Sequence, residues 1–254
     1  MSDSDSTASP EPQRLIKIIV FSDYICSFCY IGNKSLRDAI EACSDLPVRF
    51  DVEFRPFMIM CPTSDGKPFK RNEYLAKKFG KEDAALKWKF VEGMAEKAGL
   101  KMSNDGIMCR PILAHRLAVK AYQVGGQEMQ RKLNDTLFEA CFANGEDITN
   151  LDFLSESAEK IGVMSREEAI NFLDSTECGD CVEKMMEAAK ANGVNGVPFI
   201  IIDGRWALNG MQPTDCYVQV FRKLAASAPS SSSSSPTACS ACTGPLLEKK
   251  TVVS

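Results

Sequence analysis

The sequence predicts an α/β fold in two halves, a βαβ unit and a ββα unit, with a large helical insertion between them. Three observations indicate this architecture. Apolar, β-branched runs that suit strands occur at about residues 15–55 and again at about 197–208. The residues from about 62 to 192 follow the helical period instead. After the second group of strands, one more amphipathic stretch predicts a closing helix.

The first half begins with a strand that is mostly apolar on both faces. Residues 15–21 are rich in isoleucine and valine, which suits an interior strand. Residues 34–43 fit a helix, and residues 48–55 alternate apolar and polar side chains, as a strand covered on one face does. Because a helix separates the two strands, we expect them to run parallel in a right-handed βαβ unit.

The insertion contains a series of predicted helices without a repeat. Ser165 and Glu168 form a capping-box pattern, and Gly145 and Gly193 each follow an asparagine where a left-handed turn can end a helix. No fixed period relates the helices, so we interpret the insertion as one subdomain rather than a solenoid. The predicted helices are residues 84–100, 111–124, 127–143, 151–161, 166–173 and 177–191.

The second half closes the fold. Residues 197–202 predict a strand, Asp203 and Gly204 a hairpin turn, and residues 205–208 the returning strand. Residues 214–225 then predict the final helix.

The composition of the two ends of the chain predicts that they are disordered. Residues 1–14 are polar, acidic and rich in serine and proline, and residues 227–254 begin with a serine-rich run that cannot bury enough apolar surface to fold. One domain, residues 15–226, lies between these tails. No apolar run approaches the ~18 residues of a membrane span. The net charge of -4 gives no reason to expect nucleic acid or an anionic membrane as a partner.

The cysteine count bears on the cellular compartment. The chain has eleven cysteines, and its start lacks the basic and apolar segments of a secretory signal. We therefore expect a cytoplasmic protein whose cysteines are free, buried or redox-active rather than a disulfide framework.

Cys26 and Cys29 form a C-x-x-C pair directly after the first predicted strand, where a helix can start. Thiol–disulfide exchange needs one accessible thiolate and a second thiol that resolves the mixed disulfide. Lowering a thiol pKa from about 8.5 to 5 or 6 takes roughly 3–5 kcal/mol, and a helix dipole supplies only ~0.3–2 kcal/mol. We expect the N–H groups of Phe28 and Cys29 to supply much of the rest. Cys26 is the predicted nucleophile and Cys29 the sheltered resolving thiol.

Val197 and Pro198 open the first strand of the second half. A proline that starts a strand loses no ladder hydrogen bond, and this is its simplest interpretation. The alternative is a cis-proline that faces the dithiol, with the Val197 backbone free to pair with an extended substrate segment.

Five motifs occur in order along the chain: Asp23-Tyr24-Ile25-Cys26-x-x-Cys29-Tyr30-Ile31-Gly32, Ala114-His115-Arg116-Leu117, Asn144-Gly145-Glu146-Asp147-Ile148, Gly193-Val194-x-Gly196-Val197-Pro198-Phe199 and Gly210-Met211-Gln212-Pro213. Over about residues 15–225 the sequence thereby resembles the FrnE-type branch of the DsbA family of thioredoxin-like oxidoreductases. The resemblance implies a thioredoxin-like fold with an α-helical insertion, a redox-active dithiol and a cis-Pro198. Ser27 and Phe28 stand where the family usually has Pro-Trp, so the resemblance does not imply a redox potential for this dithiol.

Relatives of this family include kappa-class glutathione transferases and 2-hydroxychromene-2-carboxylate isomerases, which bind glutathione and characteristically carry serine where Cys26 stands. Glutathione is therefore a candidate co-substrate, and the resemblance makes Val197 and Gln212 its matching contact positions. We expect no resident cofactor and no metal site. Phe28, Val197, Pro198, Gln212 and His115 are the predicted substrate contacts.

His115 is the only histidine in the sequence. The simpler interpretation is a packing residue on a helix. The functional alternative is that the insertion covers the cleft and His115 faces the dithiol, where its charge would favour the thiolate.

Two further cysteine pairs have the same spacing. Cys178 and Cys181 lie at a predicted helix start, which favours thiolates, although nearby acidic residues oppose them. Cys239 and Cys242 lie in the serine-rich tail, which can carry them toward the main site as a resolving or shuttle dithiol. The distance between these two pairs along the chain is far beyond a zinc ribbon's ~15–20 residues, which argues against zinc.

The sequence thus predicts a cytoplasmic thiol–disulfide oxidoreductase or isomerase that acts on protein or glutathione disulfides through Cys26 and Cys29. One alternative is a glutathione-dependent isomerase or transferase of a small aromatic or polyketide-like substrate. Another is a redox-responsive binding module. The oligomeric state and the direction of electron flow do not follow from the sequence.

Overall fold

The structure is a computed structural model, which describes residues 14–59 and 68–227 together with the backbone of residues 251–253. A five-stranded sheet lies at its centre in the order β2-β1-β5-β6-β7. Strand β1 pairs in parallel with β2 and antiparallel with β5, and β6 continues the sheet antiparallel to β5. The strands are β1 Arg14–Ser22, β2 Val48–Pro56, β5 Phe199–Ile202, β6 Trp206–Asn209 and β7 Thr251–Val253.

Two helices complete the halves of the fold. Helix α1, Ser27–Glu41, connects β1 to β2, and helix α8, Thr214–Ala226, packs against α1. Both helices contribute to one apolar core with the sheet, in which Ile18, Leu36 and Phe221 are fully or almost fully buried. The predicted βαβ and ββα halves are confirmed.

The insertion is helical, as predicted, and packs partly on the edge strand β2 through α4 and α7. The predicted capping box forms between Ser165 and Glu168. Gly145 adopts the left-handed conformation and ends the π-helical turn that precedes it. Its helices are α2 Arg71–Phe79, α3 Lys81–Lys97, α4 Ile112–Glu139, α5 Leu151–Ile161, α6 Arg166–Asp174 and α7 Gly179–Ala191, with a π-helical turn at Ala140–Asn144.

Three details of the insertion and of α1 differ from the sequence prediction. The helices predicted at 111–124 and 127–143 form one element, α4, with a kink at Gly125 and Gly126, whose φ of 62° is accessible to glycine. Helix α2 was not predicted, and neither was the small sheet of β3, Phe69–Lys70, and β4, Ile107–Met108. Helix α1 starts at residue 27 rather than 34, directly after Cys26.

The predicted tails fall mostly outside the described residues, so their disorder stays a prediction. The ends of the described structure differ from the predicted tail boundaries at two points. Arg14 is the first residue of β1, where its guanidinium binds the Asp203 carboxylate and the carbonyls of Leu224 and Ser227. Residues 251–253 pair with β6 as a short parallel strand. In the part of the chain that is described, no helix is long and apolar enough to cross a bilayer.

Candidate active site

Cys26 lies at the junction between β1 and α1. Its N–H donates to the Asp23 carbonyl at 3.1 Å, which closes the turn after the strand, and its own carbonyl accepts the N–H groups of Cys29 and Tyr30 at 3.0 and 3.2 Å. Cys26 is thus the residue that caps α1, and Cys29 lies one turn further along the helix. The two residues differ in exposure, at 8% for Cys26 and 2% for Cys29.

The surroundings of Cys26 favour its thiolate. A hydrogen bond from the Cys29 thiol is the largest cause of its lowered pKa, and the backbone N–H groups of Cys29 and Phe28 add to the effect. Burial and the negative charge of Asp23 act in the opposite direction but do not cancel it. The sequence predicted the two backbone donors and did not predict the thiol donor.

The surroundings of Cys29 favour its neutral thiol. Burial is the largest cause of its raised pKa, followed by the interaction with the Cys26 sulfur. A protonated Cys29 thiol donates a hydrogen bond to the Cys26 thiolate and keeps its proton, so the two opposite pKa shifts describe one arrangement. These opposite shifts are the ones that the predicted roles require, with Cys26 as the nucleophile and Cys29 as the resolving thiol.

The Val197–Pro198 peptide lies against the dithiol. The peptide bond is cis, and the Val197 carbonyl oxygen is 3.6 Å from the Cys26 Sγ. The Pro198 ring also packs against α1 at Gly32, where a Cβ would be 3.4 Å from the ring. The second half of the chain therefore reaches the dithiol through residues 197 and 198.

Asp23 and His115 form a buried pair behind the dithiol. The Asp23 carboxylate accepts the N–H groups of Ile25 and Ile59, and its Oδ1 is 3.5 Å from the His115 Nε2. His115 is buried, and its ring packs on the Tyr24 ring with the centroids 4.8 Å apart. His115 therefore contacts Asp23 and Tyr24, two of the residues directly before Cys26.

A cleft of about 740 Å³ opens beside Cys26. One wall is the start of α1, where Phe28 is 38% exposed, and the other walls come from α2 and α3 of the insertion. The cleft is lined mainly by aromatic and aliphatic side chains. Its aromatic residues are Phe28, Tyr74, Phe79, Trp88, Phe90 and Phe142.

Other predicted site residues lie elsewhere. The Gln212 side chain donates to the Asn209 carbonyl in the loop after β6 and does not line this cleft. Cys178 caps α7 and Cys181 lies in its first turn, where the Cys178 Sγ is 3.7 Å from the Gln123 side-chain oxygen. Cys239 and Cys242 lie outside the described residues. Within the described ranges, no three metal-binding side chains form a cluster.

Asp23 and Arg71 lie at the site but were not among the predicted site residues. Asp23 belongs to the first motif, and its position three residues before Cys26 is a signal that could have found it. Arg71 lines the cleft from the start of α2, a helix that was not predicted, so the sequence offered no comparable signal.

A sequence comparison decides the family. Residues 17–222 match the DSBA-like thioredoxin domain. The chain belongs to the DsbA-like thioredoxin family. The family resemblance and the thioredoxin fold with a helical insertion are therefore confirmed.

Individual relatives are distant. The uncharacterized protein YwbO of Bacillus subtilis is 25% identical over 153 residues, which are 58% of this chain and 67% of YwbO. The probable DsbA oxidoreductase SCO1869 of Streptomyces coelicolor has a TM-score of 0.76 at 22% identity, over 91% of this chain and 99% of that one. The cytosolic disulfide reductase DsbM of Pseudomonas aeruginosa has a TM-score of 0.55 at 14% identity, over 82% and 98%, and was also solved with GSH. At these identities the structures show a shared fold.

The pKa shifts predict how the two thiols react with an alkylating agent. We expect Cys26 to reach half of its maximal alkylation rate at a pH below about 8.5, the value of an ordinary thiol, because the thiolate is the reactive form. Cys29 should stay unreactive until a more alkaline pH. Peptide mass spectrometry after timed alkylation from pH 4 to 10 measures both. Equal profiles for the two cysteines, or a Cys26 midpoint at or above about 8.5, would contradict this assignment.

Asp23 opposes the Cys26 thiolate, so its removal should favour it. We expect Asp23→Asn to lower the pKa of Cys26, because the carboxylate raises that pKa. The amide oxygen can still accept one of the two N–H groups that donate to Asp23. Alkylation rates at pH 6 should rise relative to the wild type. Asp135→Asn, which removes a carboxylate near Arg37 and Arg131, is the control and should leave the Cys26 profile unchanged.

The second cysteine pair can be tested by mapping. Cys178 and Cys181 occupy the cap and the third position of α7, as Cys26 and Cys29 do in α1. An ideal helix places residues three apart with Cα atoms about 5 Å apart, which a disulfide can span. If the pair is an auxiliary dithiol, mild oxidation should link Cys178 to Cys181, and peptide mass spectrometry would detect the link. If Cys178 and Cys181 are still alkylated separately after oxidation, the pair is not an auxiliary dithiol.

Proposed function

We propose that the protein is a thiol–disulfide oxidoreductase or isomerase that acts on protein or glutathione disulfides. The observation that supports this most is the opposite shift of the two thiol pKa values, with the lowered value on Cys26 at the helix start and the raised value on buried Cys29. Such a pair provides a nucleophile and a resolving thiol within one helical turn.

The reaction begins when the Cys26 thiolate attacks one sulfur of the substrate disulfide. That S–S bond breaks, a Cys26–substrate disulfide forms, and the departing thiolate takes a proton from solvent. Cys29 then loses its proton and attacks the Cys26 Sγ, which releases the second substrate thiolate to be protonated. The substrate gains two electrons, and Cys26 and Cys29 become a disulfide.

Residues near the dithiol are suited to orient the substrate. The Val197 carbonyl oxygen is 3.6 Å from the Cys26 Sγ. An extended substrate segment that pairs with the backbone of residue 197 would therefore bring its disulfide to Cys26. Phe28 offers a half-exposed apolar surface beside it. Gln212 remains a proposed contact for a longer or flexible substrate.

Turnover needs a thiol that reduces the Cys26–Cys29 disulfide again, and we propose glutathione for this role in the cytoplasm. Two glutathione thiols are oxidised to one glutathione disulfide in each cycle. The solved structure of DsbM with GSH shows that this fold accommodates glutathione in another protein.

The test is catalysed reduction of a disulfide-linked fluorescent peptide with glutathione as the reductant. Turnover above the rate with glutathione alone supports the proposal. No acceleration, together with rapid alkylation of Cys26 as proof of an intact site, would overturn it.

The apolar, aromatic cleft beside Cys26 favours one second candidate, a glutathione-dependent isomerase or transferase of a small aromatic substrate. Such a reaction needs bound glutathione but no resolving thiol. An isomerisation rate that depends on glutathione and is unchanged in Cys29→Ser would favour this candidate over disulfide exchange.

A further inference from the structure

The cleft beside Cys26 has an unusual charge for this protein. Among its described lining residues are three cations, Arg71, Lys78 and Lys87, and no carboxylate. The whole chain has a net charge of -4. The cleft is therefore a positive, apolar region on an acidic protein, and charge complementarity favours an anionic ligand there.

Two of the cations converge on one aromatic ring at the mouth of the cleft. The Nζ atoms of Lys78, from α2, and Lys87, from α3, each lie 5.2 Å from the centre of the Phe79 ring. Cation–π contacts at these distances hold both ammonium groups near the opening while their remaining donors can reach a ligand. The opening thus combines an apolar surface with two positive charges.

The third cation lies deeper. Arg71 is 2% exposed, and its guanidinium packs between the rings of Trp88 and Phe142, with its carbon 5.5 and 4.5 Å from their centres. Its Nη atoms donate to backbone carbonyls and to the Cys141 sulfur. Its buried Nε has no partner, and no described carboxylate forms an ion pair with it. A buried positive charge without a counter-ion favours binding of an anion nearby.

The apolar surface extends beyond the cleft, which indicates a ligand longer than a small thiol. Leu86 and Phe90 line the cleft from α3 and are nevertheless 68% and 66% exposed. Phe28 lines the same cleft from α1, and these three exposed side chains give the cleft an apolar strip. A peptide with a large apolar residue can cover this strip and still present its disulfide to Cys26.

We propose that this cleft selects protein disulfides whose cysteine is accompanied by a large apolar residue and an acidic residue. The apolar side chain packs between Phe28 and Phe90, and the carboxylate binds between Lys78 and Lys87. The expected effect on turnover rests on the proposed exchange at Cys26. The binding preference itself does not require that reaction.

Binding is measured separately from turnover. Fluorescent peptides with serine in place of cysteine form a set of four, with phenylalanine or serine as the neighbour and glutamate or lysine as the charged residue. We expect the Phe–Glu peptide to bind most tightly in an anisotropy titration. Its affinity should exceed that of the Phe–Lys peptide by about five- to tenfold, as expected for two rim charges.

A matched pair of variants assigns the effect to the cleft. Lys78→Glu/Lys87→Glu should reduce the preference for glutamate or reverse it. Lys77→Glu/Lys89→Glu makes the same change in net charge on the same two helices at exposed positions that do not line the cleft, and should retain the preference. Equal binding of all four peptides, or equal effects of the two double variants, would overturn the proposal.

Disulfide-linked versions of the same peptides connect the preference to catalysis. The order of kcat/KM should follow the order of affinity. If the peptides bind in the expected order and none is turned over, the cleft preference holds and the exchange function fails. If all are turned over at the same rate and bind equally, the exchange function holds and the preference fails.

Discussion

Cys26→Ser should abolish disulfide exchange, with a loss of kcat of about a thousandfold or more, because a serine hydroxyl is not ionised near neutral pH and cannot attack a disulfide. Serine is close to cysteine in size, so the substitution should leave the fold intact. The rate of glutathione-dependent peptide reduction measures the loss. Cys43→Ser is the control for the loss of a buried thiol, because Cys43 is buried in the core between the sheet, α1 and α8. A Cys26→Ser protein that retains substantial activity would contradict the assignment of the nucleophile.

Cys29→Ser should have a different effect, because it removes the resolving thiol and leaves the nucleophile. The Cys26–substrate disulfide then forms and persists, so one equivalent of substrate should remain covalently bound after mixing. Electrophoresis without reductant, followed by peptide mapping, identifies the bond at Cys26. The variant also loses the hydrogen bond from the Cys29 thiol, so its Cys26 pKa tests how well a serine hydroxyl replaces that donor.

A Cys29→Ser variant that accumulates no adduct and turns over like the wild type would contradict a dithiol mechanism. That result combined with an unchanged isomerisation rate would favour the second candidate function. The Cys26→Ser/Cys29→Ser double variant is the control for adducts at other cysteines and should remain free of substrate.

Much of the frame is predictable because its signals are local. The run at residues 15–21 and the alternation at 48–55 depend only on neighbouring side chains, and both strands form nearly where the sequence places them. The position of Cys26 at a strand-to-helix junction follows from the same patterns. Its approach to residues 197 and 198, far away in sequence, followed from the family resemblance and not from periodicity.

The parts that the sequence did not predict depend on distant contacts. Strands β3 and β4 have two residues each, too few for a period, and β7 has three. Helix α2 has little apolar character, and its position is fixed by packing against α3. The lining of the cleft consequently went unpredicted, because its walls come largely from α1, α2 and α3 and form only when these helices pack together.

The electrostatics of the dithiol show the same division. The backbone donors to Cys26 follow from its position at a helix start and were predicted. Asp23 is close to Cys26 along the chain, but the complete burial of its carboxylate depends on the packing of the fold. His115 likewise comes to Asp23 through the packing of α4, which no local pattern specifies.

The most direct test of a redox-active Cys26–Cys29 pair is a titration of the wild-type protein in buffers of graded ratio of reduced to oxidised glutathione. Acid quenching, alkylation and peptide mass spectrometry then report the state of each cysteine. We predict a single two-electron transition in which Cys26 and Cys29 become linked to each other, with a midpoint that gives the reduction potential. Cys26 and Cys29 that remain separately alkylated, or a Cys26 that only accumulates bound glutathione, would contradict the dithiol mechanism.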